Sequence, residues 1–156
     1  MNIFYLDRDP STCAKMHCDK HVVKMILETA QLLCTTHWLT GSEAHYRATH
    51  KNHPSTVWVR QSIYNYRWLC KLGVELCYEY TARYGKTHKS QAVIEWCVDN
   101  EPSIPNNVPF TDPPLAMPEA CKLPDAVDAY RNYYIIEKAY MATWKRNKPD
   151  WFKIEV

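Results

Sequence analysis

The chain has 156 residues, enough for one domain, and its 46% hydrophobic and 23% charged residues are typical of a globular protein. Its 3 glycines are too few for the glycine-rich loops that bind dinucleotides or nucleoside triphosphates. The net charge of +2 does not by itself indicate a nucleic acid or a membrane as partner, so a basic surface would depend on how the charges are arranged.

Two long stretches in the first half of the chain have apolar residues at three- and four-residue spacing, which is the period of a helix. Each stretch begins at a proline and stops at a glycine, and together they predict helices over 10–39 and 55–84. Charged residues spaced four apart are expected to form the exposed side of the second helix: Arg67, Lys71, Glu75, Glu79 and Arg83.

The second half begins with a shorter helical pattern over 89–99. Six prolines between 101 and 118 exclude a regular helix there, and apolar side chains among them predict an ordered crossing segment. A last helix is predicted over 124–145, followed by an aromatic tail that should pack against the rest. We therefore predict a single all-α domain over 1–156, a bundle of four to five helices.

The cysteines and the N-terminal sequence indicate where the protein is located and whether it binds a metal. Seven cysteines, none in a Cys-x-x-Cys pattern, predict reduced buried thiols in a cytoplasmic protein, which we expect to be monomeric. The chain shows no signal-peptide pattern and no apolar run long enough to span a bilayer. The half-sites Cys18/His21 and Cys34/His37 lie roughly 24 Å apart on one helix, so they cannot share an ion. We predict no metal and no cofactor.

A polar stripe runs along the first predicted helix beside its apolar face. Its members recur at three- and four-residue spacing: His17, His21, Lys24, Glu28, Gln31 and Thr35. A carboxylate one turn from a lysine and two turns from a histidine is a plausible acid–base cluster, whereas a solvated helix face is the simpler interpretation.

Two further clusters could bind anions. His53 lies in an Asn-His-Pro turn before the second helix, which carries Arg60 and Asn65, and this turn either points donors at an anion or only caps the helix. The turn after that helix carries Lys86, His88 and Lys89, which either bind phosphate or simply complement the helix dipole.

These motifs resemble a group of small proteins of bacterial viruses over nearly the whole chain, and more remotely the pyrimidine-dimer DNA glycosylases of the endonuclease V type. The matching phrases are Cys18-Asp-Lys-His-Val-Val-Lys-Met-Ile-Leu-Glu28, Asn52-His53-Pro54, Arg83-Tyr-Gly-Lys-Thr-His-Lys89 and Pro149-Asp-Trp151-Phe152-Lys153. In that family a histidine stands seven residues before a catalytic glutamate on the first long helix, and the matching pair here is His21 and Glu28.

The resemblance implies a glycosylase and abasic-site lyase that acts on damaged or modified bases in duplex DNA. The family's nucleophile is the α-amine of the mature second residue, and its carboxylate assists ring opening and β-elimination. This chain has Asn2 there, before which an initiator methionine is usually retained, so the amine of Met1 or a lysine such as Lys24 could take that role. The family's tail motif adds Trp151 to the expected DNA-binding residues.

Two other classes of function fit the same residues. The chain could be a different small viral enzyme that acts on a nucleotide or small molecule on a related scaffold. It could also be a helical binding protein without enzyme activity, whose aromatic residues serve only to pack the core.

Overall fold

The computed structural model describes residues 1–153 as a bundle of helices with no strand among them. The helices are α1 (Pro10–Met16), α2 (Asp19–Leu39), α3 (Pro54–Gln61), α4 (Ile63–Tyr84), α5 (Gln91–Asp99) and α6 (Ala126–Tyr133). A short 3₁₀ turn, Glu119–Cys121, precedes α6, and a π-helical turn, Tyr134–Lys138, follows it. The all-α prediction is confirmed, with six α-helices in place of four to five.

The helix expected over 10–39 is divided at His17–Cys18 into α1 and α2. The backbone N–H of Cys18 donates to the Tyr134 hydroxyl at 3.3 Å, and the carbonyls of Lys15 and His17 accept from the Arg83 guanidinium. The break therefore depends on residues far along the chain that satisfy the backbone groups freed at the junction.

The helix expected over 55–84 is also divided, at Ser62. The Ser62 hydroxyl accepts from the backbone N–H of Tyr64 and donates to the carbonyl of Val108, while the N–H of Ile63 donates to Pro105. The proline-rich segment thus supplies hydrogen-bond partners at the point where the continuous helix is interrupted. It is irregular, as predicted.

The last helix is shorter than the predicted 124–145. Asp125 caps its start by accepting from the N–H of Asp128, and regular α-helix gives way to the π-helical turn at Tyr134. The tail beyond it packs as expected, with Phe152 buried and Trp151 half-buried.

The exposed face predicted for α4 is wrong at two positions. The side chains of Glu79 and Arg83 are 3% and 0% exposed, and they pair at 2.8 Å. Arg146 donates two hydrogen bonds to the Glu79 carboxylate, and Arg83 also bonds Asp19 at 3.0 Å. Two of the charged residues spaced four apart therefore belong to a buried ion-pair network that joins α2, α4 and the tail.

Packing around α4 forms the centre of the molecule, where it meets α1, α2, α3 and α5. A Cβ at Gly73 would lie 3.1 Å from Cγ2 of both Thr29 and Ile94, so glycine there lets α4 approach α2 and α5 closely. The seven cysteines are buried free thiols, and Cys70 and Cys77 are core residues as predicted. No helix of residues 1–153 is long and apolar enough to cross a membrane.

The first residues form a buried arm. Ile3, Phe4, Tyr5 and Leu6 all lie in the core, and the Asn2 side chain fixes the arm's beginning. The Asn2 amide nitrogen donates to the carbonyl of Ala116 at 2.9 Å. Its oxygen accepts from the N–H of Ile3 and the hydroxyl of Tyr130. The arm thereby holds Met1 in one place beside α2.

Candidate active site

The α-amine of Met1 lies against the carboxylate of Glu28 on α2. Their nitrogen and Oε1 are 3.3 Å apart, and the Glu28 side chain is only 13% exposed. The other carboxylate oxygen, Oε2, lies 3.7 Å from the Lys24 ammonium, and no hydrogen bond from residues 1–153 reaches it. An amine and a carboxylate in this arrangement can exchange a proton, and Oε2 keeps the capacity to accept another hydrogen bond.

His53 lies beside this pair at the start of α3. Its Nδ1 accepts from the N–H of Ser55 at 3.1 Å, so the neutral ring carries its proton on Nε2. Burial lowers the pKa of His53, the positive charge of the amino terminus lowers it further, and the negative charge of Glu28 opposes the shift. The ring is therefore an uncharged donor next to the amine and the carboxylate.

His21 and Asn2 hold the N-terminal arm that carries Met1, and they are not part of the acid–base cluster. The His21 ring stacks on Phe4 at 4.2 Å, and its Nδ1 lies 2.7 Å from the Tyr134 hydroxyl. Burial, together with the charges of His17, Lys138 and Lys24, lowers the pKa of His21 to about 3. His21 is thus neutral and holds the arm through Phe4, while Asn2 anchors the arm at its other side.

The basic turn after α4 flanks the outer face of α2. His88 is buried in this turn, where its Nε2 donates to the carbonyl of Val23 at 3.1 Å and its Nδ1 accepts from Ser90. Lys86 and Lys89 remain exposed on either side of it. His88 thus attaches the turn to α2, and the two lysines remain accessible to an anion in solvent.

Three other expected binding residues lie outside this cluster. Arg60 donates to the carbonyl of Lys51 and closes the loop before α3. Asn65 is buried and bonds the backbone of Trp58 and Thr111 with both ends of its amide. Trp151 bonds the sulfur of Met16 and packs on Tyr134.

One basic residue near the site was absent from the sequence prediction. The Lys138 ammonium lies 5.1 Å from the ring centre of Tyr133, which stacks on Phe4. Its positive charge also helps to lower the pKa of His21, so Lys138 lies on the His21 side of α2. The only sequence signal was its five-residue spacing from Tyr133, and a π-helical turn is not recognisable from such spacing.

A groove of about 810 Å³ lies elsewhere, between α1, α4, α5 and Phe110. Its lining includes the aromatic side chains of Tyr64 and Trp68 and none of Met1, Lys24, Glu28 or His53. The acid–base groups, and not this groove, locate the candidate active site. No three His, Cys, Asp or Glu side chains of residues 1–153 are grouped as metal ligands.

Comparison with known proteins gives one family. A family model described as pyrimidine dimer DNA glycosylase matches residues 1–92, which include the arm, all of α2, α3 and α4, and the basic turn. No curated protein and no solved structure matches the chain.

Proposed function

The chain belongs to the pyrimidine dimer DNA glycosylase family, and from that premise we propose that it removes damaged or modified bases from duplex DNA and cleaves the resulting abasic site. The observation that carries the proposal is the 3.3 Å approach of the Met1 α-amine to Glu28. It supplies an amine nucleophile and an acid–base group in one half-buried position.

In the proposed reaction the Met1 ammonium first loses a proton to solvent, and the uncharged amine then attacks C1′ of the damaged nucleotide. The bond from C1′ to the base breaks, and the base leaves with the bonding electrons and takes up a proton. Glu28 accepts a proton from the attacking nitrogen and returns it to O4′ as the sugar ring opens, which leaves an iminium between Met1 and C1′.

The second half of the reaction cleaves the strand. Glu28, ionised again, accepts a proton from C2′, the 3′ phosphate leaves by β-elimination, and water then hydrolyses the imine and regenerates the amine. Glu28 Oε2, which has no hydrogen-bond partner within residues 1–153, is suited to hold the sugar hydroxyl or the water. His53, neutral with its proton on Nε2, is suited to donate to the departing base.

The surface around the site favours DNA as the substrate. Lys24 is 69% exposed directly over Glu28, with Lys20 one turn earlier on the same helix. Lys86 and Lys89 lie in the turn that His88 attaches to α2 at Val23, and Lys138 lies near His21. Exposed ammonium groups near a half-buried reactive group fit a phosphate backbone that passes across it.

Borohydride trapping tests the proposal directly, because it reduces an imine to a stable covalent link. We expect the protein to become linked to duplexes that contain a cyclobutane pyrimidine dimer or an abasic site, and not to undamaged duplex. Peptide mapping of the product should locate the link at Met1. Mapping to Lys24 would contradict the proposed nucleophile, and failure to trap any abasic duplex would contradict the proposed activity.

A further inference from the structure

The N-terminal arm has anchors of its own in the core, separate from the side chain of Asn2. Residues 3–6 are each at most 5% exposed. The Tyr5 hydroxyl donates to the carboxylate of Asp112 at 2.9 Å, which ties the arm to the proline-rich segment. Asn2 precedes this buried stretch, so the residue whose position its side chain controls most directly is Met1.

Both ends of the Asn2 amide are attached to the far side of the molecule. Its Nδ2 donates to the carbonyl of Ala116 at 2.9 Å, and its Oδ1 accepts from the N–H of Ile3 at 2.8 Å. The Tyr130 hydroxyl shares its proton between Oδ1 of Asn2, at 3.3 Å, and the carbonyl of Pro114, and it accepts from the N–H of Ala116. Tyr130 is fully buried, so water does not compete for these contacts. We call this set of groups on Asn2, Pro114, Ala116 and Tyr130 the Asn2 clamp.

Two amines approach the carboxylate of Glu28, and they differ in how firmly each is held. The Met1 amine lies 3.3 Å from Oε1 and follows directly from the clamped residue. The Lys24 amine lies 3.7 Å from Oε2 on a side chain that is 69% exposed and has many rotamers. A nucleophile that is already held in place loses less orientational freedom on the way to the transition state, and it therefore reacts faster.

We propose that Asn2 and Tyr130 are positioning residues that make the α-amine of the chain, and not the lysine amine beside Glu28, the nucleophile of the reaction. The inference rests on the proposed function and adds the groups that choose between two amines. Asn2 acts through its peptide bond to Met1, and Tyr130 acts through Asn2. The register matters as well as the orientation, since a shift of one residue moves the first Cα by about 3.8 Å, enough to break the contact with Glu28.

Peptide mapping of borohydride-trapped complexes with an abasic duplex tests the inference, because it counts links at Met1 and at Lys24 separately. In the unchanged protein we expect the links at Met1. Asn2→Leu keeps a similar volume, and a side chain of that size leaves the initiator methionine in place. It removes both hydrogen bonds of the amide, so linking at Met1 should slow about ten-fold or more while linking at Lys24 does not fall. Tyr130→Phe should shift the ratio of the two links in the same direction by a smaller factor.

Tyr5→Phe is the matched control for Tyr130→Phe. It also removes one tyrosine hydroxyl from the surroundings of the arm, with its hydrogen bond to Asp112 at 2.9 Å, and it leaves the Asn2 clamp intact. We expect the ratio of links at Met1 and Lys24 to stay as in the unchanged protein. Because both links are counted in one sample, the ratio reports the choice between amines and not the amount of folded protein.

An unchanged ratio in Asn2→Leu would overturn the role of the Asn2 clamp, and so would an equal shift in Tyr5→Phe. Equal falls at both amines would overturn it too, because they indicate a general loss of structure. Failure of the proposed function would appear differently: the unchanged protein would form no link with the abasic duplex, and both proposals would fall together. Links at Met1 that persist undiminished in Asn2→Leu would overturn only the clamp.

Discussion

Glu28 is an acidic side chain with little access to water, and two positive groups approach its two oxygens. Met1 supplies one through the chain's amino terminus, and Lys24 supplies the other from one turn earlier on α2. Removing an ionised carboxylate from water is costly unless a partner compensates, and here the partner on the buried side is the proposed nucleophile. The same ion pair therefore stabilises the buried carboxylate and, on the proposed mechanism, holds the nucleophile beside its acid–base group.

Glu28→Gln should separate chemistry from folding. The substitution keeps the shape of the side chain and removes its proton-transfer capacity, so we expect turnover to fall about 100-fold or more. Melting temperature and affinity for a dimer-containing duplex should stay close to those of the unchanged protein. The matched control is Glu75→Gln, a half-buried carboxylate in the groove on α4, which should keep full activity. Retained turnover in Glu28→Gln would remove Glu28 from the mechanism.

Buried histidines give the fold a predictable response to acid. Burial lowers the pKa of His17 to about 4 and that of His21 to about 3, so both are neutral in the folded protein over a range where the unfolded chain binds protons. Stability is therefore fully present above about pH 6.5 and should decline as the pH falls from about 6.5 to about 4. Each of the two histidines contributes a slope of up to about 1.4 kcal/mol per pH unit.

Urea unfolding at several pH values between about 7.5 and 4.5 would measure this slope. His17→Asn removes one of the histidines whose pKa is lowered, so the free energy of unfolding should depend less steeply on pH whatever its absolute value. A curve for His17→Asn parallel to that of the unchanged protein would contradict the assignment. Above about pH 5, carboxylates such as Glu79, whose pKa is also lowered in the folded protein, stay ionised in both states and add little.

At the scale of elements, the junction between α1 and α2 depends on one arginine of α4. Arg83 donates to the carbonyls of Lys15 and His17, and it pairs with Glu79 and Asp19. A side chain from one helix thus completes the end of another and orients α2, which carries Glu28. This explains why a break without proline or glycine was not predictable from local sequence.

Arg83→Lys should be strongly destabilising. It removes the planar donor set that serves four acceptors at once and leaves buried acceptors unpaired, so we expect a loss of about 3–5 kcal/mol in the free energy of unfolding. The control is Arg67→Lys on the same helix, where an exposed pair with Glu101 at 2.6 Å should contribute less than about 1 kcal/mol. Similar losses in both variants, measured by urea unfolding, would contradict the role given to burial.

At the scale of the whole molecule, exposed lysines lie on and beside α2 although the net charge is only +2. We expect Lys86→Gln and Lys89→Gln to weaken binding to all DNA sequences alike. Each lysine neutralised should reduce the slope of log affinity against log salt by about one, because one phosphate then keeps its counterion. Lys71→Gln, on the groove side of α4, is the control and should leave the slope unchanged. Salt-independent affinity of the unchanged protein would contradict an electrostatic interface.

Sequence patterns predicted the features that depend on neighbouring residues in the chain. They did not predict the features that depend on contacts between distant residues. Helical periodicity, the proline-rich segment and the position of Glu28 on the first long helix were all predictable. The burial of Glu79 and Arg83 was not, because spacing alone does not distinguish a solvated row of charges from one covered by the tail. The approach of Met1 to Glu28 depends on where Asn2 is anchored, 114 residues away at Ala116.

On the proposed mechanism, the role of Met1 also sets a condition on how the protein is produced. The α-amine of Met1 can act as a nucleophile only while no other group is attached to it. A formyl group left from initiation, an acetyl cap or a fused affinity tag would turn the amine into an amide, whose lone pair is delocalised into the carbonyl. Since the Met1 side chain is 3% exposed, an added group would also crowd Glu28. A newly made chain that still carries its formyl group would therefore be inactive until that group is removed.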